Sequence, residues 1–176
     1  MFSTPTVEER GERPYVAIRT LATMAELPVV MPQLHDEVFG WLARRGIAPA
    51  GAPFIRYHVI DMAGQLDIAL GVPVARAVPG DGRVYADTLP PGRYAALVYT
   101  DVRQGIPANG ALLRWGAEQG LTWDAWSTPQ GDAFGARLET FLTEPDDEPD
   151  PAKWETEVAI RLKSGVASRE SVVPSP

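Results

Sequence analysis

The feature that most restricts this chain is that its punctuation comes round twice. Tyr15 and Tyr94 are 79 residues apart, and so are Pro28 and Pro107. Each tyrosine sits in a strand-like run, Tyr15–Leu21 and Arg93–Tyr99, and each proline opens a helical one. In the first helical run, Val29–Arg45, the residues Leu34, Val38, Trp41 and Leu42 fall on one face, and Gly46 is placed to end it. Pro53 then introduces a strand, Phe54–Ile60. Asp61 to Gly64 is a turn, and Gln65–Val72 returns with Leu66, Ile68 and Leu70 on one side. After the linker Val78–Gly82 and a short strand, Arg83–Thr88, the same order recurs. A strand leads to a helix from Pro107 to Gln119, ended by Gly120. A hairpin of Phe134–Leu142 with Glu155–Lys163 follows, across an acidic, proline-rich loop.

This order predicts an α+β fold of duplicated strand-helix-strand-strand modules, residues 14–76 and 83–163. Their sheets are expected to pair edge to edge, with both helices on one face and a ligand groove on the other. Residues 1–13 read as a flexible arm. Residues 164–176, rich in Ser, Val and Pro, read as a disordered tail.

Side chains alternate along a strand, so in the run Phe134–Leu142 one side carries Leu138, Thr140 and Leu142. The other carries Arg137, Glu139 and Phe141. The leucine side is expected to pack on a helix, which points Glu139 into the groove. A carboxylate there is costly to bury unless a cation or a proton meets it. On alternation alone, Glu139 reads equally as an exposed sheet residue paired with Arg137 or Arg161. Aromatic residues supply candidate walls: Tyr57 and Tyr99 on strands expected near the middle of the sheet, and Trp126 in the aromatic connector Trp123–Thr128. Trp41 and Trp115 read as core.

Other chemistries find little support. Cysteine is absent, which removes disulfides, thiolate catalysis and Cys-based metal sites. The two histidines, His35 and His58, have no third ligand at metal-binding spacing. No metal or cofactor is expected. Ser127 lacks a nucleophile elbow, and Gly80-Asp-Gly82 is too short to cradle a phosphate. The run Glu144–Asp150 lacks the ligand spacing of a calcium loop. A net charge of -7, with no basic patch, argues against nucleic acid and anionic lipid as partners. The N-terminus is polar and acidic, unlike a signal peptide, and no apolar run approaches about 20 residues. A cytoplasmic location is the default expectation.

Several segments together resemble the GyrI-like domain, the effector-binding domain of AraC-type and MerR-type multidrug regulators. They are Phe54–His58 with Gly71–Val74, Leu89–Ala95, the helix carrying Trp115, and Leu138–Leu142 before an acidic loop and a last strand. The likeness covers residues 13 to 163 and implies two fused strand-helix-strand-strand modules. It also implies a groove whose floor is a glutamate on the penultimate strand, matched here by Glu139. Tyr57 matches a pocket tyrosine. The ligands implied are hydrophobic and cationic or aromatic, and rings beside a cation add about 0.5–2 kcal/mol each. Where the family often has His-x-Gly, this chain has Tyr99-Thr-Asp101. No helix-turn-helix precedes the domain, so direct DNA binding is not expected.

The leading expectation is therefore stand-alone capture of a small molecule by Glu139, Tyr57, Tyr99, Trp126, Phe141 and Arg137. Some stand-alone relatives look like hydrolases of cyclopropane-bearing compounds, which makes Glu139 the catalytic candidate in a second reading. A third reading is an acidic module that docks on a basic protein partner.

Overall fold

The computed structural model describes residues 1–164. Ten strands and two helices follow one another as β1 (Thr6–Arg10), β2 (Arg13–Ala22), α1 (Leu27–Arg44), β3 (Phe54–Ile60), β4 (Leu66–Pro73), β5 (Tyr85–Leu89), β6 (Gly92–Thr100), α2 (Gly105–Glu118), β7 (Ala125–Thr128), β8 (Gly131–Phe134), β9 (Arg137–Phe141) and β10 (Glu155–Arg161). Every pairing between them is antiparallel. The sheet runs β1-β6-β10-β9-β3-β4-β2-β5, and a β7–β8 ribbon branches from β3. The fold is α+β, and the first half meets the second where β3 pairs β9; the first half runs β2-α1-β3-β4, whereas in the second β7 and β8 stand between α2 and the β9–β10 hairpin.

Both helices lie on one face. Leu97, Val158, Glu139, Ile55, Leu70 and Ile18 form a single row across six strands, each directly opposite the next. Opposed residues share a face, so the row fixes what that face presents. One end packs under α2, with Leu97, Val158 and Ile160 against Ala108 and Leu112. The other packs under α1, with Ile18, Ile55 and Leu70 against Leu34, Val38 and Trp41. The helices are amphipathic for this purpose: Met31, Leu34, Val38, Trp41 and Leu42 are the buried stripe of α1.

The opposite face is closed without a helix. Tyr15, Ala17, Phe54, Ala69, Leu89 and Leu138 form one buried cluster, and Tyr94, Ala96, Ala136 and Ala159 another. Alanines leave room beside them for the large rings. The Tyr15 and Phe54 rings meet edge to face at 5.2 Å. Phe54 also covers Gly71, where a Cβ would stand 2.6 Å from the ring. Arg56 is buried here, its guanidinium donating to Tyr15 Oη at 2.8 Å and to the Gly135 carbonyl at 2.9 Å.

Four expectations are corrected. Residues 1–13 are not a loose arm, because Thr6–Arg10 pairs with β6 as an edge strand. The run Phe134–Leu142 is not one strand. Gly135 and Ala136 break it, β8 pairs with the end of β3, and β9 pairs with its start. The leucine side of β9 does not meet a helix: Leu138 packs with Tyr15 and Phe54. Finally, Glu139 and the cavity around it lie on the helix-bearing face, not the other one. Alternation separates the two faces of a strand but does not say which one the helices cover. The expected tail at 164–176 lies, apart from Ser164, outside the described residues.

Candidate functional site

Between the two helices the row is uncovered, and the gap is a cavity of about 600 Å³. Its floor is sheet: Ile55 and Tyr57 from β3, Tyr99 from β6, Arg137 and Glu139 from β9. One wall is α2, with Ile106, Asn109 and Leu113. The facing wall is Met24 and Leu27 at the start of α1, together with Ile60, Met62 and Leu66. Strict alternation from Tyr57 would turn Ile60 away. The β3–β4 register shifts between Tyr57 and Val59, a bulge at His58, and so Ile60 joins the cavity.

Glu139 sits among apolar neighbours and takes its hydrogen bonds from neutral donors. Tyr57 Oη donates to Oε2 at 3.1 Å, and Asn109 Nδ2 donates to Oε1 at 2.9 Å. Burial pushes the carboxyl pKa above its ordinary range, while those two hydrogen bonds and the charge of Arg137 pull the other way. Burial likewise raises Tyr57 well above the usual phenol value, and the neighbouring Glu139 charge adds to it. Tyr99 is pushed up to about 12, by burial first and by Glu139 second.

Arg137 forms no ion pair within 4 Å among the described residues. Its Nη2 donates to Asn109 Oδ1 at 2.8 Å, and its guanidinium lies 4.7 Å from the centre of the Phe134 ring. Burial lowers its pKa, against the opposing pull of Glu139. Asn109 is held a third way, because Nδ2 also donates to the Gly105 carbonyl at 2.9 Å.

Of the residues singled out from sequence, Glu139, Tyr57, Tyr99 and Arg137 come together in this cavity. Two do not line it. Phe141 shares the face of Glu139 but packs into the core under α1. Trp126 is 54% exposed and borders an adjoining hollow of about 330 Å³, which shares Leu113, Asp132, Phe134 and Arg137 with the main cavity. Asn109 was missed. Its one signal was a polar amide inside a helix, a position amides disfavour unless the side chain has a partner. Asp101, at the point of departure from His-x-Gly, holds φ at 80° and accepts hydrogen bonds from Arg103, which borders the cavity.

The described residues include no grouping of three or more His, Cys, Asp or Glu placed to hold a metal ion. Among them, no helix is long and apolar enough to cross a membrane.

An antiparallel sheet with two helices flanking an apolar, acid-floored cavity defines a small-molecule-binding class of domain. Residues 3–163 match the GyrI-like small molecule binding domain, and the chain belongs to that family. Solved structures agree on the fold. The C-terminal domain of EcmrR superposes with a TM-score of 0.68 at 14% identity, over 91% of this chain and 97% of that one. In the EcmrR–DNA complex the TM-score is 0.72 at 15% identity, over 92% of this chain, and the match spans only 57% of the EcmrR chain. A hydrolase from Listeria innocua gives 0.63 at 10% identity, covering 90% and 91% of the two chains. SAV2435 bound to tetraphenylphosphonium gives 0.56 at 10% identity, covering 92% and 95%. A search of curated proteins returned no match.

Proposed function

We propose that the chain captures a hydrophobic small molecule of cationic or aromatic character in this cavity, with Glu139 as its polar anchor. Tyr57 and Tyr99 serve as walls, and Arg137 stands beside the anchor. The observation that carries the reading is a buried carboxylate whose hydrogen-bond partners are both neutral, in a cavity of drug-like size. A carboxylate accepts about four hydrogen bonds, and two of those places are filled here. A delocalised cation entering the cavity balances the charge that burial disfavours, and the flanking rings add cation–π attraction. The tetraphenylphosphonium bound by SAV2435, a protein of the same fold, is a ligand of this chemistry.

Titration calorimetry with tetraphenylphosphonium tests the reading. The wild type binds, and Glu139→Gln weakens binding by about 1–3 kcal/mol, the scale of a charged interaction in a partly dry site. Equal affinity in the variant would remove Glu139 from the anchor role.

The raised carboxyl pKa favours a second reading. A glutamic acid that keeps its proton closer to neutral pH is suited to general acid work, here the opening of a strained ring during attack by water. Mass spectrometry on a cyclopropane-bearing electrophile, with protein substoichiometric, separates the two. Many water adducts per protein mean turnover, and a one-to-one complex means capture.

A further inference from the structure

Arg137 and Glu139 are two residues apart on one face of β9, so their Cα atoms stand about 6.6 Å apart. They nevertheless do not close on each other as an ion pair. Asn109 stands between them. Its amide oxygen takes Arg137 Nη2 at 2.8 Å, its amide nitrogen gives to Glu139 Oε1 at 2.9 Å, and the Gly105 carbonyl fixes which way the amide faces. The amide therefore acts as a spacer that keeps a cation and an anion side by side. On the guanidinium, Nε is buried without a partner, and Nη1 makes no hydrogen bond among the described residues. The group packs against Phe134 with its carbon 4.7 Å from the ring centre, a contact that takes up neither of those two donors as a hydrogen bond. Arg137 borders both the main cavity and the adjoining hollow.

From this arrangement we propose that the site takes an amphoteric ligand. A cationic or hydrogen-bond-donating part meets Glu139. A carboxylate or comparable acceptor meets Arg137, within about 7 Å of the first. The inference rests on the cavity being the ligand site and adds a second polar position to it. A purely cationic ligand brings its charge close to Arg137 and leaves the guanidinium edge unanswered. An amphoteric ligand answers both groups.

A matched pair of dyes tests this on the intact chain by fluorescence anisotropy: rhodamine B, which carries a free carboxylate, and its methyl ester, which is a cation only. The wild type binds rhodamine B about tenfold or more tighter than the ester, the scale of one charge-assisted hydrogen bond. Arg137→Met brings the two affinities to within about twofold, chiefly by weakening rhodamine B. Glu139→Gln weakens both dyes and keeps the order. Arg103, which also borders the cavity, is the competing source of such a preference. In Arg103→Gln the preference persists.

Equal wild-type affinities would overturn the proposal while leaving the cavity as a binding site. So would a preference that survives in Arg137→Met, or one that disappears in Arg103→Gln. The wild-type comparison stands even where Arg137→Met fails to fold. Absence of binding by either dye would overturn the site reading and the proposal with it.

Discussion

Leu138 and Glu139 are consecutive in the chain and lie in two different solvents. Leu138 points to the face closed by Tyr15, Phe54, Ala17 and Ala69, where it is 3% exposed. Glu139 points to the face where two helices stand apart and leave a cavity. One face is filled by its own rings and methyl groups. The other is spanned by helices whose apolar stripes pack on the two ends of the row, while Asn109 of α2 reaches the middle of it with polar contacts to Glu139 and Arg137. The comparison teaches that the helices here support the rim of a hollow as well as bury a core. Stability should therefore reside chiefly on the helix-free face and under the helices, and binding in the gap.

The widest separation is expected between Phe54→Ala and Glu139→Gln. Removing the ring that fills the closed face costs about 3–5 kcal/mol in denaturant unfolding and leaves tetraphenylphosphonium affinity within about threefold where the variant is folded. Glu139→Gln alters unfolding by under about 1 kcal/mol and weakens binding by about 1–3 kcal/mol. If the two variants were equally unstable, Glu139 would be part of the framework, and the contrast between faces would fail.

The titratable groups sharpen the contrast, because burial acts on each face with opposite sign in pH. His58 projects from β3 on the same side as Arg56 and is held down to about 4, by burial first and by Arg56 and Arg19 second. Its unfolded value is about 6.5. Stability tied to His58 is thus present above that value and is lost as pH falls towards 4. Against His58→Gln, the wild type loses about 1–2 kcal/mol over this window, reduced from the full shift by water at the part-exposed ring. Glu139 is raised instead. The stability tied to it is complete below its unfolded value of about 4.3 and is lost as pH rises through its higher folded value. Against Glu139→Gln, the wild type therefore gains stability on acidification. Difference curves of equal sign would contradict the assignment of the two groups.

The smallest effect is expected at Tyr57→Phe. The variant keeps the ring in the floor and removes one hydrogen bond to Glu139, weakening cation binding by about 1 kcal/mol or less. A loss as large as that of Glu139→Gln would mean that the hydroxyl touches the ligand itself.

How far the sequence could be read follows from the kind of information each element carries. Proline, glycine and period were enough for the two helices and the hairpin β3–β4, because these are local signals. The acid of β9 stood out as a carboxylate in an apolar run, but alternation alone left it as readily exposed as buried, and its expected place in a groove came from the family resemblance. The face it occupies was not, because period two separates faces without naming them. The break at Gly135–Ala136 and the bulge at His58 are decided by partners distant in the chain. Asn109 was hidden for the same reason: its three hydrogen-bond partners are Gly105, Arg137 and Glu139, two of them on β9.

The irregularity at His58 has a consequence of its own. Upstream of it, β3 is zipped to β9 through Phe54, Ile55 and Arg56, and downstream it carries the β7–β8 ribbon through Val59 and Ile60 alone. The bulge works as a joint between a fixed rail and a panel whose base is anchored by the Asp124–Arg161 ion pair. Residues can be added to or trimmed from the panel, which brings Phe134 and Asp132 to the cavity, without sliding Ile55 against Glu139. A lineage of such proteins is free to retailor the outer wall for a new guest while the anchor at the floor keeps its place.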